Sequence, residues 1–343
     1  MSCYSERVRA IIEQMPCNSI FVASELRNDK LRDIPEQTYY KVLERLVKQN
    51  IIVHLTKGLY YRAARNEKGI IPLNKETIIQ HYVSEKSGVI IGKGVLSQKG
   101  IISNNAEDVE ILSSNLKEEK KHIGKIAVQK STIILDDKTI PVVETLEILQ
   151  NYNKAEDLDK RRFLSYMKKF SNEYTDDVVR YVIENRKYKK STIAFLERML
   201  TWYGVENSLN QYLSGLSEYK IPTIQELRIE VPADIKSRLN EYVLELQNIY
   251  NQDLEKVILY GSYARGDFSD DSDIDIMILL HLSDMEIKKY RHELSELTYN
   301  FNTNYQIDIK PIAKNQDDFM KWVDVYPFYG NVKREGVELY GVA

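Results

Sequence analysis

Two short apolar runs, VILY at 257–260 and IDIMILL at 274–280, flank a polar loop that opens on Gly261–Ser262. No other segment restricts the fold of this chain as tightly. Both runs read as strands. Gly261 lets backbone come close where a side chain would collide. Ser262 adds a hydroxyl and an amide, both able to donate to a phosphate. After a ten-residue loop, Asp273 and Asp275 stand two apart at the start of the second strand. Period-2 geometry puts both carboxylates on one face and Ile274 and Ile276 on the other. Like charges so close are costly unless cations neutralise them, and hard divalent ions with oxygen ligands suit the task. A solvated acidic stretch would neither follow VILYGS nor run into IMILL. Asp267, Asp270 and Asp271 read as loop charges instead.

A helical run over 283–302 leads to NYQIDIKPI, read as a further strand, with Asp308 on the face opposite Ile307 and Ile309. If that strand lies beside the one carrying Asp273 and Asp275, three carboxylates converge, as two-metal phosphoryl transfer requires. The pattern resembles the minimal nucleotidyltransferases of the DNA-polymerase-β-like superfamily. Residues Gly261, Ser262, Ala264, Arg265, Gly266, Ser272, Asp273 and Asp275 carry the likeness, within a region of about 236–343. The resemblance implies a nucleoside triphosphate (NTP), with ATP the expected donor, two Mg²⁺ ions, and transfer of a nucleoside monophosphate to a hydroxyl. It further implies that Gly261 and Ser262 hold the triphosphate. Asp273, Asp275 and Asp308 would ligate metal, with Asp308 also favouring deprotonation of the acceptor. Arg265 is expected to contact phosphate or acceptor. Lys310 and Lys314 are open between phosphate binding and a solvated edge. Trp322, Tyr326 and Phe328 are expected to pack the final segment.

The N-terminal region reads as helix, short helix, helix and hairpin. Val8, Ile11, Ile12 and Met15 share one side of the first helix, and Ser24 is a candidate cap for the second. Pro35 suits the first turn of the third, in which Tyr39, Leu43, Leu46 and Val47 face inward. Gln37, Lys41 and Lys48 fall outside, with Arg45 near the edge. IIVHL and LYYR then form two strands around a turn at Lys57–Gly58. This order describes a winged helix-turn-helix, whose third helix could enter a major groove while Lys57, Tyr60, Tyr61 and Arg62 meet backbone phosphates. Winged helices also serve as protein-docking modules. With KGLYYR and the segment IIPLNKETIIQHYVSEKSGVIIGKGVLSQKGIIS, the region resembles AbiEi-type antitoxins over roughly residues 1–215. That likeness implies operator binding, autorepression and help in neutralising a toxin.

Val89–Ile91 and Thr132–Leu135 read as strands and Pro141–Tyr152 as a helix. Three helices follow to Gly204, with Phe163, Tyr166, Met167, Phe170 and Trp202 at core spacing. IPTIQELRIEVP, with Pro222 and Pro232, reads as a linker. The expected fold is α+β and multidomain: a winged helix-turn-helix over 1–65, a mixed and then helical middle domain over 66–230, and a nucleotidyltransferase α/β domain with a small mixed sheet over 231–343.

Composition agrees with a folded chain. Of 343 residues, 43% are hydrophobic and 29% charged, which argues against disorder. Cys3 and Cys17 cannot make a disulfide framework, and five scattered histidines argue against a structural metal. No run reaches the ~18–20 apolar residues of a membrane span, and charge comes too early for a secretory signal, so a cytoplasmic protein without membrane contact is expected. The net charge of −3 hides about +4 in residues 1–65 and about −9 in 240–343. The expected activity is Mg²⁺-dependent transfer of a nucleotide to a toxin protein or tRNA hydroxyl, within a toxin–antitoxin or phage-defence system that binds its own operator DNA. The alternative is a repressor whose transferase fold is only a docking platform.

Overall fold

The structure, a computed structural model, describes residues 4–103, 107–215, 218–269 and 271–341. It forms two compact units, residues 1–157 with 175–189, and residues 158–174 with 190–343. Among the described residues no helix is long and apolar enough to cross a membrane. Cys3 lies outside the described residues, and Cys17 is exposed.

In the first unit, helices Tyr4–Gln14, Ala23–Lys30 and Glu36–Lys48 pack with a three-stranded antiparallel sheet. Its central strand, Leu59–Arg62, lies between Ile20–Val22 and Ile52–Thr56. Helical spacing explains the third helix: Tyr39, Val42, Leu43 and Leu46 are buried among Val8, Ile12, Leu31 and Ile34. Ser24 lies inside the first turn of the second helix, whose cap position is Val22. Strand alternation decides the hairpin: Leu59 and Tyr61 point inward, and Tyr61 is only 3% exposed. Tyr61 is therefore withdrawn from the phosphate-contacting set expected of the hairpin. Arg62 is also engaged, donating to the Met15 carbonyl.

A four-stranded sheet follows, ordered Gly88–Ile91, Val109–Ser113, Ile126–Lys130, Lys120–Ile123. Helix Thr139–Asn151 carries buried residues around most of its circumference, including Val142, Leu146 and Leu149. Its Glu147 is 3% exposed yet satisfied, accepting from the Gly92 amide at 3.0 Å and pairing with Arg186 at 3.0 Å. Thr132–Leu135 is not a strand. Ser131 donates its hydroxyl to the Ile133 carbonyl and accepts the Ile133 amide. Thr132 bonds the Asn185 carbonyl and the Ile134 amide bonds the Tyr181 hydroxyl, so sheet-forming groups are taken locally.

The second unit begins earlier in sequence than residue 231. Helices Lys160–Asn172 and Lys190–Trp202 belong to it, with Phe163, Met167, Phe170 and Trp202 buried. The second of these helices stops where expected, with Gly204 at φ 72° and its amide on the Thr201 carbonyl at 3.0 Å. The segment 221–232 is packed rather than loose. Thr223 and Glu226 form a capping box, and Leu227 is fully buried. The Ile229 amide donates to the Gly266 carbonyl at 3.1 Å.

Helix Ala233–Tyr250 then leads to a mixed sheet ordered Ile309–Asn315, Ile274–Leu280, Leu254–Tyr260, Val337–Gly341. The middle pair is antiparallel, and Ile274–Leu280 runs parallel to Ile309–Asn315. Alternation divides the side chains cleanly. Val257, Leu259, Ile274, Ile276 and Ile278 share a core with helix residues such as Leu239, Tyr242 and Leu246. Ile258, Tyr260, Met277 and Leu279 turn the other way, under Phe319, Val323 and Val332. Losing one such buried aliphatic side chain to alanine costs about 2–5 kcal/mol, so this packing holds the strand ends in place.

Candidate active site

Asp275 and Asp273 continue the second of those two rows past the end of its apolar part. Asp275 is half-buried opposite Tyr260 on the neighbouring strand, and Asp273 is exposed. Burial, then the nearby Asp273 charge, pushes the Asp275 carboxyl above its ordinary value, while Arg265 and Lys168 oppose that rise.

Gly261 follows Tyr260 at φ 71°. A Cβ there would stand 2.1 Å from Asp275 Oδ2, far inside contact distance. Glycine is thus required twice, by its backbone conformation and by the carboxylate packed against it. Ser262 is half-exposed beside it, and its carbonyl accepts the Gly266 and Asp267 amides at 2.9 and 3.0 Å. The turn ends at Gly266, φ 75°, where a Cβ would meet the Ile229 amide nitrogen at 2.5 Å. The 221–232 segment therefore braces the loop from behind.

Arg265 turns inward. It donates to Glu335 at 2.9 Å and lies 3.4 Å from Asp267, with these three side chains 16%, 8% and 0% exposed. Its guanidinium is spent on protein carboxylates, where sequence reading expects phosphate or acceptor. Asp267 is correspondingly a buried partner and no solvated loop charge, because the chain turns at Gly266 and folds it under Arg265. Asp271 is exposed, and Asp270 lies outside the described residues.

Asp308 sits one residue ahead of strand Ile309–Asn315. The pairing of Ile274 with Ile309 sets it beside Asp273, and its carbonyl accepts the Ile274 amide at 2.7 Å. Its carboxylate, however, pairs with Lys310 at 2.7 Å. Lys310 is raised by that hydrogen bond and further by the Asp308 and Asp273 charges. Among the described residues no three His, Cys, Asp or Glu side chains stand close enough to hold a metal. Asp273, Asp275 and Asp308 thus share one face without forming such a group, and Asp308 is paired with Lys310 two residues on.

Asp273 and Asp275 remain a fitting pair of hard oxygen donors for a divalent cation, the Asp273 charge being near enough to raise the Asp275 carboxyl. A cation bound there would neutralise that repulsion and draw charge from a phosphate oxygen.

The helix Lys160–Asn172 contributes what sequence reading missed. Lys168 reaches the site, 3.7 Å from Asp267 and lining a cavity of about 280 Å³ with Gly261 and Arg265. The signal available in the sequence was slight: a lysine one position beyond buried Met167, on a helix distant in the chain. Trp322, Tyr326 and Phe328 are 37%, 51% and 45% exposed, so the final segment is less packed than expected. The helices Gln316–Trp322 and Pro327–Glu335 bury only Phe319, Val332 and the Arg265 partner Glu335.

Comparison with known proteins agrees with this geometry. The profile of the family described as Polymerase beta, Nucleotidyltransferase matches residues 245–324. A protein of Methanocaldococcus jannaschii provisionally named a protein adenylyltransferase is 30% identical over 27% of this chain and 91% of its own length. A second protein of that organism with the same provisional name is 33% identical over 30% of this chain and 94% of its own. A solved structure described as the toxin-antitoxin with AMP-PNP is 20% identical over 30% of this chain and 73% of that chain, with a TM-score of 0.21. The glycine-led turn, the paired aspartates, the matched profile and the two Methanocaldococcus jannaschii relatives agree, and through its C-terminal region the chain belongs to the polymerase-β-type nucleotidyltransferase family.

Proposed function

We propose that the chain transfers a nucleoside monophosphate from an NTP to a hydroxyl of a protein or RNA, with Mg²⁺ held by Asp273 and Asp275. The carrying observation is Gly261 packed on the Asp275 carboxylate, which brings the backbone of the glycine-led turn against one of the paired aspartates. The provisional name of the relatives favours ATP as donor and a protein hydroxyl as acceptor.

The acceptor oxygen attacks the α-phosphorus, forming one P–O bond. The bond from that phosphorus to the bridging oxygen breaks, and pyrophosphate leaves with the electron pair. The acceptor proton passes to Asp308, whose exposed carboxylate shares a face with Asp273 and Asp275 and would exchange its ion pair with Lys310 for the acceptor. Gly261 and Ser262 hold the triphosphate in line, and a cation held by Asp273 and Asp275 would supply Lewis acidity toward the phosphate oxygens.

Purified protein incubated with each α-labelled NTP, Mg²⁺, total tRNA and host lysate should label one macromolecular acceptor. Asp273→Ala with Asp275→Ala should lower labelling by ~1,000-fold or more. Equal labelling by wild type and double variant would overturn the assignment and leave the docking-platform reading.

A DNA-binding N-terminal region, of the winged-helix and AbiEi-like kind, is part of the same proposal. Gln37, Lys41 and Lys48 are all exposed on helix Glu36–Lys48, and spacings of four and eleven residues put them on one face. Lys57 is exposed at the hairpin tip. Operator DNA, a toxin partner and a phage-defence setting follow from that reading.

A further inference from the structure

The cavity beside Gly261 is walled partly by helix Lys160–Asn172, which precedes the 245–324 segment matched by the family. On that wall are Lys168, Ser171 and Asn172, facing Gly261, Arg265 and Asn331. Charge within the cluster is unevenly spent. Glu335 is held by Arg265 at 2.9 Å and by Arg334 at 2.8 Å. Asp267 lies under Arg265 with its side chain fully buried. Lys168 stands 3.7 Å from Asp267, beyond hydrogen-bond distance, and its side chain is 42% exposed. Lys168 and Arg265 also face the half-buried Asp275 packed on Gly261, and of these two cations Lys168 is the more exposed, at 42% against 16%.

Size then narrows the occupant. At about 280 Å³ the cavity falls below the ~300–1,000 Å³ typical of sites that engulf a drug-sized ligand. Terminal phosphates are small enough for a cavity of this size. The aromatic rings nearby are already engaged with neighbours. Tyr203 stacks on Trp202 at 5.3 Å and donates its hydroxyl to the Leu164 carbonyl, while Tyr260 meets Phe328 edge-on at 5.6 Å.

We propose that this cavity seats the β- and γ-phosphates of the NTP, and that Lys168, supplied from outside the family segment, binds them. The inference rests on the transferase reading above. Lys168 supplies a mobile ammonium where Arg265 cannot, since the Arg265 guanidinium is fixed in the buried network.

The test is titration calorimetry on the full chain with Mg²⁺, using ATP, inorganic tripolyphosphate and AMP as separate probes. Lys168→Ala should weaken ATP and tripolyphosphate about tenfold and leave AMP binding unchanged. Lys168→Arg should restore most of the loss, which a merely structural role would not require. An unchanged melting temperature in both variants checks that the fold is intact. ATP and tripolyphosphate affinities indifferent to Lys168→Ala, or a loss confined to AMP, would overturn the inference while the transferase reading stands. Wild type binding neither ATP nor tripolyphosphate would overturn both.

Discussion

At the end of strand Leu254–Tyr260 one added carbon has no room, while on the outer face of helix Glu36–Lys48 every substitution ends in solvent. The two regions use charge oppositely. Asp273 and Asp275 share one face of a folded strand, where burial and then the Asp273 charge raise the Asp275 carboxyl. Gln37, Lys41, Lys48 and Lys57 are exposed, and their field is screened by salt within ~8–10 Å. A site that performs chemistry depends on positions fixed to fractions of an ångström. A surface that meets a polyanion needs only charges on one side.

Gly261→Ala presses hardest on this comparison. The new Cβ would fall 2.1 Å from Asp275 Oδ2 at a backbone φ of 71°, so the turn and carboxylate must separate. Nucleotide transfer should fall by at least ~100-fold, the effect of an ångström-scale misplacement. Steady-state labelling alongside a thermal melt would check this, and an active, normally folded variant would break the contrast.

A smaller effect is expected at the other region. Lys41→Ala, Lys48→Ala and Lys57→Ala combined should flatten the salt dependence of operator binding by about 2–3 in log–log slope, with melting unchanged. Band-shift titrations across salt concentrations measure the slope, and an unchanged slope would remove this face from the interface.

The smallest effect concerns the stability cost of the site. The folded state binds the Asp275 proton more tightly than the unfolded chain, so this group's contribution to stability falls as pH rises from the ordinary carboxylate value through the raised one. Asp275→Asn should therefore stabilise the protein in chelator at pH 7, by no more than about 1 kcal/mol given the partial exposure of the site. The advantage should shrink toward pH 4, near the ordinary carboxylate value, because the wild type gains stability as its raised carboxyl takes up a proton. Urea titrations at the two pH values measure it. A variant less stable than wild type at pH 7 would mean that Asp275 is held by favourable contacts rather than strained by its neighbours.

Legibility differed between the same regions. The glycine-led turn and the aspartate pair could be read because strand alternation and backbone freedom are local properties, carried by adjacent residues. The burial of Tyr39, Leu43 and Leu46 was readable for the same reason. Arg265 illustrates what was hidden. Its partner Glu335 lies 70 positions away, and nothing within GSYARG shows that the guanidinium turns toward it. Asp308 is a mixed case: its alternation was clear, but its ion pair with Lys310 depends on which rotamers meet beside the parallel strand. Thr132–Leu135 misled because an apolar run has the same composition whether its amides enter a sheet or bond neighbouring hydroxyls.

By itself, the run from Val257 to Leu280 determined the family-defining turn, the shared face of Asp273 and Asp275, and hence the phosphate chemistry proposed for them. Its information lies in period-2 geometry and one obligatory glycine, both short-range. Only the tertiary structure decided that Arg265 is buried with Asp267 and Glu335, that Asp308 is paired with Lys310, and that Lys168 joins the site. Those outcomes depend on which distant elements fill the space above the strand ends, and packing settles that between residues far apart in the chain.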